Sequence, residues 1–394
     1  MRALKITVSM SVILFVCAFF GASAALPQAK TLTVANLAPM SGGGAPWGIN
    51  SDRGLRAMAN DINARGGIKV GADRYLVEVV TLDHRYIPGE ALGAARKLVR
   101  DGIKFSFGVG GAIMPAMQPV LDENKVIYFS IMGGGVEFTN ANRPYTFREM
   151  ASNEQFYTLF LRQFVEMWGP IKVGLVENND DNGRAEGTFM RKMTKQLNLP
   201  IEQFDEYVER DAIDFTPVVM RLMAKGVNLL LNDLTPSQAA VFTKQASELG
   251  YKKRIGTIRV PMDLATNLKA VGKEGMEGYL SGLTWASGEY PTAKYKEVRE
   301  KHLATYKEEP MPNVFLHYAS MELVSAAIEK AGTTDTEKVV KVLYDQKINT
   351  VLGPTFMIGK SLGYGIKTQM SYGLPFCEVR DGKLKLLKTL LYEE

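Results

Sequence analysis

The sequence is poor in the side chains on which disulfide and metal chemistry depend. It has two cysteines and three histidines in 394 residues. Cys17 falls in an apolar N-terminal run, so once that run is removed only Cys377 remains and no intramolecular disulfide is possible. His84, His302 and His317 share no ligand spacing, and with a single remaining thiol no zinc site is visible. There is no G-x-S-x-G turn and no P-loop, which argues against an α/β hydrolase or a nucleotide-driven enzyme. Charge of one sign is also lacking. Lys and Arg total 47 against 42 Asp and Glu, for a formal +5, and the signs are interleaved along most of the chain. Without a basic stripe or a reader motif, nothing points to a nucleic-acid partner. Beyond the N-terminus no apolar run is long enough to span a membrane.

What is present begins at that N-terminus. Arg2 and Lys5 precede the apolar stretch Ile6–Phe20, and Ala22-Ser23-Ala24 supplies small residues for cleavage. This is the order and size of a secretory signal peptide, residues 1–24. Leu14-Phe15-Val16-Cys17 is a weaker lipoprotein-like alternative, because Val16 is not small and the apolar run continues past it. An exported chain without disulfides must be held by its cores. With 46% hydrophobic residues the material is ample, and at this length more than one domain is expected.

Downstream the pattern alternates strand and helix. Thr31–Leu37, Tyr75–Leu82, Phe105–Val109 and Val126–Ser130 read as strands. Between them Leu55, Met58, Ala59 and Ile62 recur at helical spacing, as do Leu92, Ala95, Leu98 and Val99, and a third helix covers Pro115–Glu123. The alternation restarts with a helix at Glu154–Trp168, a strand at Ile171–Val176, a helix at Arg184–Leu197, then short strands. Buried strands follow near Val227–Leu231 and Ile255–Val260, with a helix between them that ends at Gly250. From about Ser281 to Thr350 the chain reads as helical. Two successive doubly wound α/β units are the predicted class.

One segment is more specific. Trp47-Gly48, an internal Gly54 and Asp61-Ile-Asn-Ala-Arg-Gly-Gly-Ile68 form a helix entry, body and stop. Together they resemble the first helix of the Leu/Ile/Val-binding protein family. Further similar stretches follow in order: Leu98–Lys104, Gln118–Val126, Tyr145–Arg148, Gln245–Tyr251, Leu316–Ala319 and Thr350–Pro354. Singly these are weak, but they cover nearly the whole exported chain. The resemblance implies a type I periplasmic-binding-protein fold, with two doubly wound α/β lobes joined by three crossovers. It places lobe one at 31–148 plus 282–350, and lobe two at 149–281 plus 351–394. It implies a monomeric periplasmic component of an ABC importer, whose partners are a small-molecule carboxylate and the permease subunits. It implies no catalysis and no cofactor. The other readings are a ligand sensor working through a separate partner and a true Leu/Ile/Val binder.

The resemblance also maps a cleft at the carboxyl ends of the strands. Trp47 would supply an aromatic wall. Gly111 and Ala112 in one loop, and Met132, Gly133 and Gly134 in another, would offer backbone N–H groups to an anion, in loops where the family's usual hydroxyls are absent. In lobe two the mapped positions are Asn182 and Arg259. Arg259 stands where the family has an acid for the ligand's ammonium, so an organic acid is expected instead of a zwitterion. Asn178-x-Asp180-x-Asn182-Gly183 is set aside as a calcium loop because Phe189 occupies the position that needs a bidentate Glu. Glu177, Asp180 and Asp181 read as an acidic solvated loop, His84-Arg85 as a loop at the cleft rim, His317 as a packing residue and Tyr318 as core.

Overall fold

The computed structural model describes residues 30–42, 44–132, 138–209, 211–259, 264–283, 285 and 289–394. The expected leader lies outside them. The first half runs β1 (Lys30–Ala38), α1 (Ala45–Ala64), β2 (Ile68–Val70), β3 (Asp73–Asp83), α2 (Pro88–Arg100), β4 (Phe105–Val109), α3 (Met114–Glu123), β5 (Ile127–Ile131) and β6 (Thr146–Arg148). There follow α4 (Asn153–Trp168), β7 (Ile171–Asn178), α5 (Asp181–Gln196), β8 (Ile201–Val208), α6 (Thr216–Ala224), β9 (Leu229–Asn232), α7 (Pro236–Glu248), β10 (Arg254–Thr257), α8 (Leu264–Met276) and β11 (Leu280–Ser281). The chain ends with α9 (Ala293–Tyr306), α10 (Pro312–Ala331), α11 (Thr336–Asp345), β12 (Lys347–Thr350), β13 (Gly353–Ile358), β14 (Gln369–Ser371), β15 (Leu374–Arg380) and β16 (Lys383–Leu390).

These strands form two sheets. A nine-stranded sheet has the order β12-β13-β14-β6-β5-β4-β1-β3-β2, and a seven-stranded sheet the order β16-β15-β11-β10-β9-β7-β8. Their central strands are parallel. Both β4 and β9 are buried along their whole length, as parallel strands covered by helices on two faces must be. In the first sheet Phe107, Phe129 and Phe147 are register partners on β4, β5 and β6. Their rings stack at centroid separations of 6.0 and 4.7 Å. The glycines of the first-helix motif have a packing cause. A Cβ on Gly48 would lie 2.0 Å from the Pro39 carbonyl oxygen, and one on Gly54 2.3 Å from that of Val314 on α10. Asn63 closes the motif by pairing its amide with both backbone groups of Val77 on β3, at 2.7 and 2.9 Å.

Three connections join the sheets. The first runs from β6 into α4, which opens with a capping box between Ser152 and Gln155. The second leaves β11 for α9, and the third is Tyr372-Gly373 between β14 and β15. This last position corrects the expected boundary at residue 350. Thr350 and Gly353 instead face each other across the β12–β13 hairpin, and β13 and β14 stay in the first sheet. The two residues between Thr350 and Gly353 make a tight turn that in sequence is hard to tell from a linker. β6 and β14 leave the first sheet, and β11 the second, at the carboxyl ends of parallel strands. The edges that adjoin are therefore the carboxyl edges of both sheets. The first and third connections are also laced together: Ala151 N–H donates to Tyr372 Oη at 3.3 Å, and Gln369 Nε2 to the Met150 carbonyl at 3.0 Å.

Two smaller expectations change. The short strands after Leu197 are one eight-residue strand, β8, and a hairpin strand, β2, precedes β3.

Candidate functional site

At the carboxyl edge of the first sheet, β4 ends in Gly110-Gly111-Ala112-Ile113 before α3 begins at Met114. Gly111 has φ +86°. The conformation suits glycine, and a side chain there would meet Tyr86: a Cβ on Gly111 would lie 2.6 Å from the Tyr86 hydroxyl. Ala112 is exposed; burial raises the Tyr86 pKa, while the Ala112 backbone N–H lies near enough to favour the ionised phenol. Trp47, in the first turn of α1, is 46% exposed and meets Tyr86 edge-on at 6.0 Å. Trp47, Gly111 and Ala112 are thus brought together, with Tyr86 between them. Met132 differs from expectation. It is buried with Leu37, Ile113 and Met114, because an unbranched thioether fills the gap beneath the loop. Gly133 and Gly134 lie outside the described residues.

His84, unlike Arg85, departs from a solvated loop. His84 is fully buried, its Nδ1 accepts from the Tyr86 N–H at 3.1 Å, and burial holds its imidazole below the usual range. Arg85 is exposed but pairs with Glu90.

In the second sheet Arg259 follows β10, and its side chain is 14% exposed. It is not a bare cation. Its Nε lies 2.6 Å from Asp233 Oδ2 and its Nη1 2.9 Å from Glu186 Oε1. Burial opposes its charge, but Asp233, Tyr157 and Glu186 outweigh that and hold the guanidinium above its ordinary range. Glu186 projects from α5 and also accepts from Asn153 Nδ2 at 2.7 Å and Tyr157 Oη at 3.2 Å. Its burial still raises its pKa, with Arg259 opposing. Asp233 follows β9 and accepts from Thr257 Oγ1 at 3.1 Å. The argument for an organic acid assumed an unpaired guanidinium, and the two carboxylates remove that premise.

Glu177 is not in a solvated loop. It ends β7, is 2% exposed, and burial followed by the field of Asp233 pushes its carboxyl up to about 9, against Arg259. Asp180 caps α5, accepting from the Gly183 N–H at 2.9 Å. Asn182 sits in the first turn of that helix, and its side chain lies outside the description. No set of three or more metal-capable side chains gathers among the described residues, and no helix there is long and apolar enough to cross a membrane.

Sequence reasoning missed Tyr86, Glu186 and Asp233. Asp233 did carry a signal. It follows the run Leu229-Leu-Leu-Asn232, and an acid at the carboxyl end of a buried parallel strand faces the crevice of such sheets. His317 is buried as expected and its Nδ1 lies 2.6 Å from Glu149 Oε2, while Ser320 Oγ donates to Glu149 Oε1 at 2.9 Å. Tyr318 is buried and its hydroxyl donates to Asp61 at 2.6 Å.

Comparison with known proteins agrees with this architecture. The family described as "Periplasmic binding protein" matches residues 31–383. The leucine-specific-binding protein of Salmonella typhimurium is 24% identical over 331 residues, covering 83% of this chain and 86% of its own. Two solved structures share the fold. The branched-chain amino acid transporter substrate binding protein of Streptococcus pneumoniae, in complex with isoleucine, has a TM-score of 0.68 at 18% identity, over 93% of this chain and 100% of its own. An R. palustris solute binding protein in complex with benzoate has a TM-score of 0.67 at 16% identity, over 93% and 98%. The chain belongs to the periplasmic binding protein family, whose members bind solutes and are not enzymes.

Proposed function

We propose that this protein is exported to the periplasm and delivers a small carboxylate ligand to the permease of an ABC importer. The ligand lies between the carboxyl edges of the two sheets. Its carboxylate meets the N–H groups at Gly111–Ala112, ahead of α3, its apolar part meets Trp47, and its far end meets the Asp233–Arg259–Glu186 cluster. One observation carries the reading. The adjoining edges have opposite character: the glycine turn at the N-terminus of α3, whose dipole favours an anion, on one side, two carboxylates sharing one guanidinium on the other. A zwitterion, with its ammonium toward Asp233 and Glu186, suits that polarity better than a bare acid. The isoleucine-bound relative supports this ligand class. A second reading, an organic acid clamped by Arg259, keeps support from the benzoate-bound relative, and requires Arg259 to exchange a carboxylate of its own for the ligand's.

The test is thermal denaturation of the protein with L-leucine, L-isoleucine, benzoate and 4-hydroxybenzoate. A ligand at a hundred times its Kd adds about 2.7 kcal/mol to stability. A melting shift from the amino acids alone supports the zwitterion, and a shift from the aromatic acids alone supports the second reading. No shift from any of the four refutes the small-carboxylate assignment.

A further inference from the structure

The loop that follows β3 commits several bonds to presenting one side chain. Arg85 and Tyr86 are consecutive non-glycine residues with φ of +47° and +62°, a conformation that side chains adopt only where their surroundings enforce it. Here the surroundings do so. Asp83 accepts from the backbone of Met40 at 2.9 Å and of Arg85 at 2.8 Å, and from the Ser41 hydroxyl at 2.7 Å. His84 accepts from the backbone of Tyr86, and its carbonyl from Ile87 at 2.7 Å. The outcome is a half-buried phenol whose ring stands edge-on to the exposed Trp47 and whose oxygen sits over Gly111, a glycine that leaves room for it. A phenol hydroxyl has a proton to give. Among the described residues that proton has no acceptor.

We propose that Tyr86 is a specificity-determining residue of the ligand site: its hydroxyl, set over the Gly111 turn, donates to the ligand's carboxylate, and its ring extends the wall begun by Trp47. This rests on the lobe-one half of the small-carboxylate reading above. It assigns to a loop outside the glycine turns the hydroxyl donor that those turns lack. A neutral acceptor in place of the carboxylate gains less from the same O–H, because hydrogen bonds to charged groups are the stronger ones.

The experiment uses the whole protein and its Tyr86→Phe variant, titrated by calorimetry with L-leucine, benzoate and the corresponding amides, leucinamide and benzamide. Phe keeps the ring and its contact with Trp47, so the melting temperature without ligand should not move. Affinity for the acid that the wild type binds should fall roughly ten- to a hundredfold. Preference for that acid over its amide should narrow by a similar factor, a readout that a purely structural role would leave alone. Trp47→Phe, which retains the hydroxyl, should keep the acid-over-amide preference. If Tyr86→Phe binds the acid as well as the wild type or better, the hydroxyl merely covers the Gly111 turn. That result overturns the proposal and leaves the small-carboxylate reading intact. Binding of neither acid by the wild type overturns both.

Discussion

Replacing Arg259 with Met tests the lobe-two cluster directly. The substitution keeps an unbranched apolar stem and removes the guanidinium that, among the described residues, is the one cation paired with Asp233 and Glu186. Breaking a buried ion pair from one side costs about 3–5 kcal/mol, since the abandoned charge stays buried. Arg259 is largely but not wholly buried and leaves two carboxylates behind, so a loss of at least about 3 kcal/mol is expected at pH 7. The pH dependence has a definite sign. Burial already raises the Glu186 pKa in the folded protein, and Arg259 opposes that rise. Without Arg259 the carboxyl takes up a proton in the native state more readily than in the unfolded state. Stability is then regained as pH falls, and the deficit of the variant should be smaller at pH 5 than at pH 7. Urea unfolding at both values measures it. Adding Glu186→Gln to Arg259→Met should cost less than the sum of the two single changes, with a coupling of about 1–3 kcal/mol. A deficit under about 1 kcal/mol at pH 7, with additive single changes, would show that Arg259 is not paired in solution and would revive its role as a free clamp.

Glu177→Gln should act in the opposite direction. The Glu177 carboxyl is raised from 4.5 to about 9, so in that window the native state holds a proton the unfolded state lacks. Stability from this group is complete below about pH 4.5 and declines as pH rises toward 9, by at most about 1.4 kcal/mol per unit. The variant should therefore gain steadily on the wild type in urea midpoints from pH 5 to 9, and parallel profiles would refute the buried, protonated assignment. Gly54→Ala places a Cβ 2.3 Å from the Val314 carbonyl oxygen and must force α1 from α10. A loss of about 1–3 kcal/mol is expected, seen as a fall of several degrees in calorimetric melting temperature.

Much of the fold was legible because it is written in period and punctuation. The strands at 31–37, 105–109 and 126–130 were found as apolar runs, and the glycines after Ala64 marked the end of α1. What periodicity could not supply was pairing. The resemblance places the return crossover at Thr350–Pro354, where the chain makes a hairpin turn, because a short apolar link between strands looks the same whether the next strand pairs locally or in another lobe. The site was harder to read for a related reason. Trp47, Gly111 and Ala112 carried motif or glycine signals, and Arg259 was conspicuous by its charge. Its partners were not. Glu186 lies on a helix facing inward and Asp233 ends a different strand, so their meeting with Arg259 depends on sheet order, which brings β9 beside β10 and β7. An isolated Arg was therefore given the chemistry of a free cation, and the folded protein makes it the centre of a carboxylate pair. Tyr86 was missed because its importance comes from its backbone, whose two left-handed residues no composition rule foretells.

The distribution of these groups bears on how a ligand could drive closure. A ligand shifts an equilibrium between open and closed lobes only by binding one state better than the other. Groups confined to one lobe are satisfied equally in both states and contribute affinity without coupling. Here the anion-suited turn and the acid-rich cluster belong to different sheets, and both lie on the edges that adjoin. A ligand touching both gains its second set of contacts only when those edges approach. The connections between the lobes suit such a motion. Ala151, in the first connection, and Gln155, in the first turn of α4, bond to Tyr372, in the third connection, and Met370, on β14, so the first and third connections move as one unit. Bending is then confined to a few residues flanking that unit, as in hinge motions between rigid domains. Loosening this lacing, for instance with Tyr372→Phe, which removes the acceptor of the Ala151 N–H, should alter the open–closed balance and hence the apparent affinity for leucine or benzoate, without touching either half of the site. Equal affinities in calorimetry for wild type and Tyr372→Phe would mean that the coupling of the two connections plays no part in closure.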